Sequence, residues 1–142
     1  MKILIFGLPG SGKTTLATPL AELLDGVHIN ADAVRARYND WDFSIQGRVK
    51  QAQRMRHLAD GVVMAGKIAI ADFVCPIQQA RDDFEPDYTI WMDTIAEGRY
   101  DDTNMIFQNP SEVDYHITGW FDDTPEKLAA AIRRFMENRD EV

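Results

Sequence analysis

Residues 7–14 of this chain read Gly-Leu-Pro-Gly-Ser-Gly-Lys-Thr, which matches the pattern G-x-x-x-x-G-K-[ST]. The residues before it, from Lys2 to Phe6, form a largely apolar run that is typical of a buried parallel strand. After the loop, apolar side chains recur at helical spacing, at Leu16, Leu20, Leu23 and Leu24. A strand, a glycine-rich loop and a helix in this order predict a phosphate-binding P-loop.

The residue types of this loop suit the phosphates of a nucleotide. Glycines allow the backbone to fold around an anion with its N–H groups directed inward, and the following helix presents its positive end. Lys13 is predicted to reach the β- and γ-phosphates, and the Thr14 hydroxyl to ligate Mg²⁺, so ATP and Mg²⁺ are the expected cofactors. The predicted nucleotide-binding residues are Gly7, Leu8, Pro9, Gly10, Ser11, Gly12, Lys13, Thr14 and Thr15.

The composition is that of an ordinary globular domain. With 142 residues, 45% hydrophobic and 27% charged, we expect a single domain over residues 1–142. Cys75 is the chain's only cysteine, which excludes an internal disulfide and favours a reducing cytoplasm. No apolar run approaches the length of a membrane span, and Met1 leads directly into the first predicted strand, so we expect neither a membrane anchor nor a signal peptide.

Charge is distributed unevenly along the chain. The net charge is −8, yet residues 1–71 carry nine basic and six acidic side chains, whereas residues 72–142 carry six basic and seventeen acidic ones. Residues 35–56 hold six Lys or Arg against two Asp. A local basic segment in an acidic protein indicates a small anionic, nucleotide-like substrate, and the overall acidity makes nucleic acid an unexpected partner. The sequence leaves the oligomeric state open, with a homodimer as one candidate assembly.

Strand and helix patterns alternate along the chain. Strands are predicted at 2–6, 27–29, 67–74, 88–92 and, more weakly, 115–118, and helices at 14–24, 31–38, 44–65, 76–84 and 124–138. Ser44 is the predicted N-cap of the helix at 44–65, and Thr124 that of the helix at 124–138. Residues 94–112 are predicted to be irregular. This order predicts an α/β fold: a three-layer α/β/α sandwich with a mostly parallel sheet of about five strands.

Polar residues stand at the ends of the predicted strands, where parallel sheets bind ligands. Gly7, Asn30, Asp32, Asp72 and Asp93 should therefore meet at one crevice. Asp72 ends an apolar strand, which is the Walker B pattern for a carboxylate that holds Mg²⁺. From its position alone, Asp32 is equally a proton acceptor or a helix cap. His28 and Cys75 are predicted to be packed residues rather than catalytic ones.

Several motifs resemble those of the adenylylsulfate kinase family, P-loop kinases that phosphorylate the 3′-hydroxyl of adenosine 5′-phosphosulfate. The similarity covers roughly residues 1–85. Beyond the P-loop, residues 30–35 (Asn-Ala-Asp-Ala-Val-Arg) resemble the family's D-G-D-N-V-R, and residues 43–48 (Phe-Ser-Ile-Gln-Gly-Arg) resemble F-S-x-x-D-R. Residues 50–54 match E-N-I-R-R loosely, and residues 74–81 stand where the family has I-S-P-Y-R-x-x-R.

The resemblance implies roles for individual residues. Lys13, Asp32 and Arg35 would be catalytic, with Asp32 as the base near the acceptor hydroxyl. Thr14 and Asp72 would hold the metal. The implied substrate-binding residues, including arginines for the phosphosulfate anion and Phe43 near the adenine, are Asp32, Arg35, Phe43, Arg48, Gln51, Arg81 and Phe107.

The chain departs from the family pattern at several positions. Asn30 and Gly47 replace aspartates, and Gln51 replaces an asparagine. In place of a lysine-bearing lid, residues 94–112 form a shortened, acidic, lid-like segment in which Arg99 is the only cation. A lid normally excludes water and places positive charge against the transferring phosphoryl group.

Three interpretations remain open from the sequence. The leading one is a small-metabolite kinase that transfers the γ-phosphoryl group of ATP to adenosine 5′-phosphosulfate. The second is a kinase for a nucleoside, a nucleotide or a polynucleotide 5′-hydroxyl, because the departures fall mainly on the acceptor side. The third is a nucleotide-binding protein without transferase activity, which the reduced lid favours and the acceptor-side Asp32 disfavours.

Overall fold

The computed structural model describes residues 1–98 and 101–140. Within them, five strands form one parallel sheet in the order β2-β3-β1-β4-β5. The strands are β1 (Lys2–Phe6), β2 (Val27–Asn30), β3 (Ala69–Asp72), β4 (Tyr88–Met92) and β5 (Tyr115–Ile117). The helices are α1 (Lys13–Leu24), α2 (Ala31–Tyr38), α3 (Ile45–Met64), α4 (Gln78–Phe84), α5 (Asp101–Ile106) and α6 (Thr124–Asp140). The predicted α/β fold with a five-stranded parallel sheet is confirmed.

Two hydrophobic clusters cover the two faces of the sheet. Alternate side chains of β1 point to opposite faces, so Ile3 and Ile5 join one cluster whereas Leu4 and Phe6 join the other. The cluster around Ile3 includes the buried faces of α1 and α6, and the cluster around Leu4 includes those of α2, α3 and α4. The result is the predicted three-layer arrangement. Because all five strands are parallel, every connection leads from the carboxyl end of one strand back to the amino end of the next.

Local boundaries differ from the sequence-based prediction at three places. The third strand is only Ala69–Asp72, and the helix predicted from residue 76 begins at Gln78. The turn between them contains Cys75 at a positive φ of 44° followed by Pro76, and neither residue extends a strand. Helix α6 begins at Thr124 itself, whose hydroxyl accepts a hydrogen bond from the Phe121 N–H, so the prediction that Thr124 caps the helix is wrong.

The segment predicted to be irregular contains a helix. Helix α5 occupies Asp101–Ile106, where the sequence shows no apolar periodicity. Tertiary contacts explain its place: the Asn104 amide exchanges hydrogen bonds with the Gly98 backbone, and the buried Thr103 accepts one from Arg48. The predicted lid cation, Arg99, lies outside the described residues.

None of the described helices has both the length and the apolar character that crossing a membrane requires.

Candidate functional site

The P-loop lies between β1 and α1, at the carboxyl edge of the sheet. Two of its glycines are required by the geometry. A Cβ on Gly7 would lie 2.5 Å from the backbone oxygen of Met92, and Gly12, which precedes α1, has φ 98°, where a side chain is strained. The Thr94 hydroxyl donates to the Ser11 carbonyl at 2.7 Å and ties the loop to the segment after β4. The P-loop thus lies close against Met92, the last residue of β4, and is hydrogen-bonded to Thr94 just beyond it.

Lys13 is the first residue of α1 and is buried within the loop. Its ammonium group donates to the backbone oxygen of Leu8 at 3.0 Å. A lysine held across its own loop in this way places its charge beside the inward N–H groups, where phosphate oxygens would bind.

Asp72, at the end of β3, is the centre of a hydrogen-bonded cluster. Among the described residues, three side chains contact its Oδ2: His28 Nε2 at 2.8 Å, Asn30 Nδ2 at 3.0 Å and the Thr14 hydroxyl at 3.0 Å. The parallel register pairs Asn30 directly with Asp72 and so brings the end of β2 to this carboxylate. Burial raises the pKa of Asp72, but the hydrogen bonds from His28, Asn30 and Thr14 outweigh it, and the pKa lies below its usual value. Asp72 is therefore an ionised, buried carboxylate.

The chemistry of Thr14 and Asp72 fits Mg²⁺ bound together with a nucleotide. Both offer oxygen atoms beside the P-loop, and oxygen ligands are what Mg²⁺ requires. In the part of the chain that is described, no group of three or more His, Cys, Asp or Glu side chains could hold a metal by itself. Phosphate oxygens would have to complete the coordination, as is usual for Mg²⁺.

A cleft of about 830 Å³ extends from the P-loop towards α2 and α3. Its walls include most of the predicted site residues on both the nucleotide and the acceptor sides: Pro9, Gly10, Gly12, Lys13, Thr14, Thr15, Asp32, Arg35, Phe43, Arg48, Gln51 and Asp72. Asp32 is exposed to this cleft in the first turn of α2. The cap of α2 is Asn30, whose Oδ1 accepts from the Ala33 N–H at 3.0 Å, so the alternative that Asp32 is the helix cap is wrong.

Two arginines surround Phe43 in the wall of the cleft. The guanidinium carbons of Arg35 and Arg48 lie 4.4 Å and 5.4 Å from the centre of its ring. Arg35 donates to the backbone oxygens of Asp40 and Asp42, both at 3.1 Å, and Arg48 donates to Phe43 O at 2.9 Å. Burial is the main cause of the lowered pKa of Arg35. The cleft therefore carries buried positive charge beside an aromatic face.

Arg81 and Phe107 lie elsewhere. Arg81 does not line the cleft: its guanidinium donates to the backbone oxygens of Cys75, Pro76 and Gln108, and its centre lies 5.1 Å from the Phe107 ring. Phe107 lines a separate, smaller cavity of about 220 Å³, together with Leu8 and Asp93. The structure thus separates these residues from the other predicted substrate contacts.

Comparison with known proteins places the chain in a family. A model of the family described as adenylylsulphate kinase matches residues 1–91. The chain belongs to the adenylylsulphate kinase family. Its members transfer a phosphoryl group to a hydroxyl, and the resemblance identified from the sequence motifs is confirmed. The family match ends within β4, so it includes the P-loop, Asp72 and the cleft residues Asp32, Arg35 and Arg48 but not the segment that contains α5.

A relative and two solved structures illustrate the similarity. A "probable adenylyl-sulfate kinase" from Aeropyrum pernix is 38% identical over an 81-residue alignment. The alignment covers 53% of this chain and 44% of the relative, so less than half of the relative's length is matched. The APS kinase of Mycobacterium tuberculosis, solved with AMPPNP and APS, superposes with a TM-score of 0.77 at 21% identity, covering 96% of each chain. Shikimate kinase from Aquifex aeolicus gives a TM-score of 0.64 at 16% identity, covering 99% of this chain and 98% of its own.

Within this adenylylsulphate kinase fold, sequence reasoning missed three contributors to the site. His28, predicted to be merely packed, contacts Asp72. Trp41 and Thr103 both line the cleft, Trp41 with about half of its surface exposed. No local pattern identifies any of them, because their positions depend on the register of β2 against β3 and on the path of the chain around α3 and α5.

Proposed function

We propose that this protein is an ATP-dependent kinase that transfers the γ-phosphoryl group to the 3′-hydroxyl of adenosine 5′-phosphosulfate. One observation carries the proposal: a single cleft joins the P-loop and Asp72 to the exposed carboxylate of Asp32 and to the cationic wall of Arg35 and Arg48. Membership of the adenylylsulphate kinase family supports the choice of acceptor. The Mycobacterium tuberculosis structure, which holds AMPPNP and APS in the same fold, supports it further.

On the nucleotide side, the residues of the P-loop bind and orient the phosphates. The loop N–H groups and Lys13 stabilise the negative charge that develops on the transferring phosphoryl group. Thr14 and Asp72 would hold Mg²⁺, which would supply positive charge against the phosphate oxygens. Because the Thr14 hydroxyl donates its hydrogen bond to Asp72, its oxygen keeps a lone pair available to a cation.

On the acceptor side, Asp32 would take the proton from the attacking hydroxyl. Asp32 is the only carboxylate in α2, and Asn30, the N-cap of this helix, has replaced the family's first aspartate. Arg35 and Arg48 would hold the acceptor's anion, since a guanidinium binds oxyanions through parallel hydrogen bonds. The phosphosulfate group of the acceptor carries the negative charge that this wall requires.

Two other functions remain as alternatives to the proposal. The first is a kinase for another nucleoside, nucleotide or polynucleotide hydroxyl, which would use the same nucleotide side. The second is a nucleotide-binding protein without transfer activity. A single domain, a cytoplasmic location and a homodimer stay predictions. The free Cys75 and the proposed use of ATP agree with the cytoplasm, and a hexameric APS kinase is among the solved relatives.

The test is ADP release from MgATP in the presence of different acceptors. Adenosine 5′-phosphosulfate should stimulate release well above the level without acceptor, whereas nucleosides, nucleoside monophosphates and a 5′-hydroxyl oligonucleotide should not. Stimulation by one of those acceptors alone would replace the proposed substrate. ATP binding without release in any well would favour the non-catalytic alternative.

Two variants assign the chemistry to residues. Lys13→Ala should abolish ATP binding or turnover while the protein remains folded, because the phosphates lose their cation. Asp32→Asn should lower kcat by about 100-fold or more and leave the ATP affinity nearly unchanged, since only the proton acceptor is removed. Glu22→Gln, an exposed change on α1, is the matched control and should behave like the wild type. A normal rate for Asp32→Asn would contradict its role as the base.

A further inference from the structure

The contact between His28 and Asp72 has no assigned role in the proposed phosphoryl transfer. His28 lies in β2 with 20% of its side chain exposed, and its Nε2 is 2.8 Å from Asp72 Oδ2, the shortest of the described contacts to that atom. An ionised carboxylate can only accept hydrogen bonds, so Nε2 must carry the proton in this pair. His28 is therefore a donor aimed at the carboxylate of the predicted metal site.

The same carboxylate oxygen accepts a hydrogen bond from the Thr14 hydroxyl. A carboxylate held by a ring in a strand has little freedom to rotate, whereas Asn30 divides its amide between Asp72 Oδ2 at 3.0 Å and Thr14 Oγ1 at 3.4 Å. Without the ring donor, Asp72 could turn away from Thr14, and the hydroxyl would lose the acceptor that orients its lone pairs. His28 thus acts on Thr14 through Asp72.

From this geometry we propose that His28 is a positioning residue that orients Asp72, and through it the Thr14 hydroxyl, for Mg²⁺ bound with a nucleotide. The inference rests on the nucleotide side of the proposed function and is independent of the acceptor. Residues that orient metal ligands typically change metal affinity by 10- to 100-fold when they are removed. A purely structural role for His28 would instead lower stability and leave metal affinity unchanged.

The experiment measures Mn²⁺ binding to the ADP complex by electron paramagnetic resonance, and ADP binding in EDTA by calorimetry. His28→Phe keeps a ring of similar shape without the donor, and His28→Asn has an amide one bond too short to reach Asp72. Both should weaken Mn²⁺ binding by about 10-fold or more and change metal-free ADP affinity by less than about 2-fold. His28→Gln, whose amide nitrogen can reach the place of Nε2, should recover most of the Mn²⁺ affinity.

His116→Phe is the matched control. His116 Nε2 contacts Asp93 Oδ2 at 2.9 Å, also near the carboxyl ends of the strands. His116 belongs to β5, however, and β5 and β2 are the two outermost strands on opposite sides of the sheet. This variant should bind Mn²⁺ and ADP like the wild type. Urea unfolding of all the variants shows whether any loss follows from stability.

Wild-type Mn²⁺ affinity in His28→Phe and His28→Asn would overturn the inference, as would a His28→Gln protein no better than His28→Phe. A wild-type protein that binds ADP equally with and without Mn²⁺ would also overturn it. Because no acceptor is present, a failure to phosphorylate adenosine 5′-phosphosulfate leaves these outcomes unchanged, and the two proposals can fail separately.

Discussion

At the scale of single residues, Arg81 is a charged side chain whose guanidinium is hydrogen-bonded within the fold. It is 2% exposed, and its guanidinium donates to the backbone oxygens of Cys75 and Pro76 in the turn after β3 and of Gln108 after α5. Burial lowers its pKa to about 10, so it remains charged at neutral pH. These carbonyl oxygens accept hydrogen bonds from the guanidinium that, by the family resemblance, was predicted to bind the substrate anion.

Replacing Arg81 distinguishes the two roles. In Arg81→Met, buried backbone oxygens lose their donors, and we expect the free energy of unfolding to fall by about 3 kcal/mol. The KM for the acceptor should change little in the protein that remains folded. Arg81→Lys keeps the charge but lacks the planar guanidinium, so its free energy of unfolding should lie between those of the wild type and Arg81→Met. Urea unfolding and acceptor KM are the measurements, and unchanged stability with a KM raised 10-fold would restore Arg81 as a substrate contact.

At the scale of elements, the loop between α2 and α3 brings Phe43 to the wall of the cleft by packing against the start of α3. Ser44 caps α3 through a hydrogen bond from the Gly47 N–H at 3.1 Å. A Cβ on Gly47 would lie 2.2 Å from the backbone oxygen of Asp42. The loop that carries Phe43 can therefore approach α3 this closely only because the residue at 47 is glycine, where the family has aspartate.

Alanine substitutions at two glycines of α3 test this packing. Gly47→Ala should push the loop away, lower the free energy of unfolding by about 1–3 kcal/mol and raise the KM for the acceptor. Gly61, in the same helix, has open space around its Cβ position, so Gly61→Ala should stabilise the protein by about 0.5–1 kcal/mol. Chemical denaturation measures both effects. Equal stabilisation by both substitutions would show that the loop does not depend on Gly47.

At the scale of the whole molecule, the two hydrophobic clusters join the sheet to its helix layers. Tyr88 of β4 is 5% exposed, and its ring meets that of Phe135 of α6 edge-to-face at 5.1 Å. Burial is the main cause that raises the pKa of Tyr88 to about 12, with smaller contributions from Asp114 and Tyr115. Loss of the Tyr88 proton at alkaline pH therefore affects the part of the core that connects α6 to the sheet.

The stability of the molecule should decline at high pH for this reason. Between pH 10 and 12 the unfolded chain loses the phenolic proton of Tyr88 while the folded protein keeps it, so the free energy of unfolding falls as pH rises. The raised pKa corresponds to about 2–3 kcal/mol across this range. In Tyr88→Phe this part of the pH dependence should be missing, with other alkaline groups acting equally on both proteins. Parallel slopes for the two proteins above pH 10 would contradict the prediction.

The sequence by itself determined the P-loop, the alternation of strands and helices, and the ends of the strands at which Asp72 and Asp32 lie. These features depend on residues close together in the chain: glycines in a tight loop, periodic apolar side chains, and caps such as Ser44. From them the parallel sheet and the common edge of the site follow, because parallel strands connected by helices bring their carboxyl ends together.

Only the tertiary structure decided how distant segments share their polar groups. The register of β2 on β3 brings His28 and Asn30 to Asp72, and a carbonyl of the turn after β3 accepts a hydrogen bond from Arg81. Helix α5 forms where no periodicity predicts it, since Arg48 and the Gly98 backbone contact its side chains. The contacts of His28 and Asn30 with Asp72, and of Arg48 with Thr103, join residues 42 to 55 positions apart, which no local pattern reveals. A buried hydrogen-bonding group pairs with whichever partner the packing brings to it.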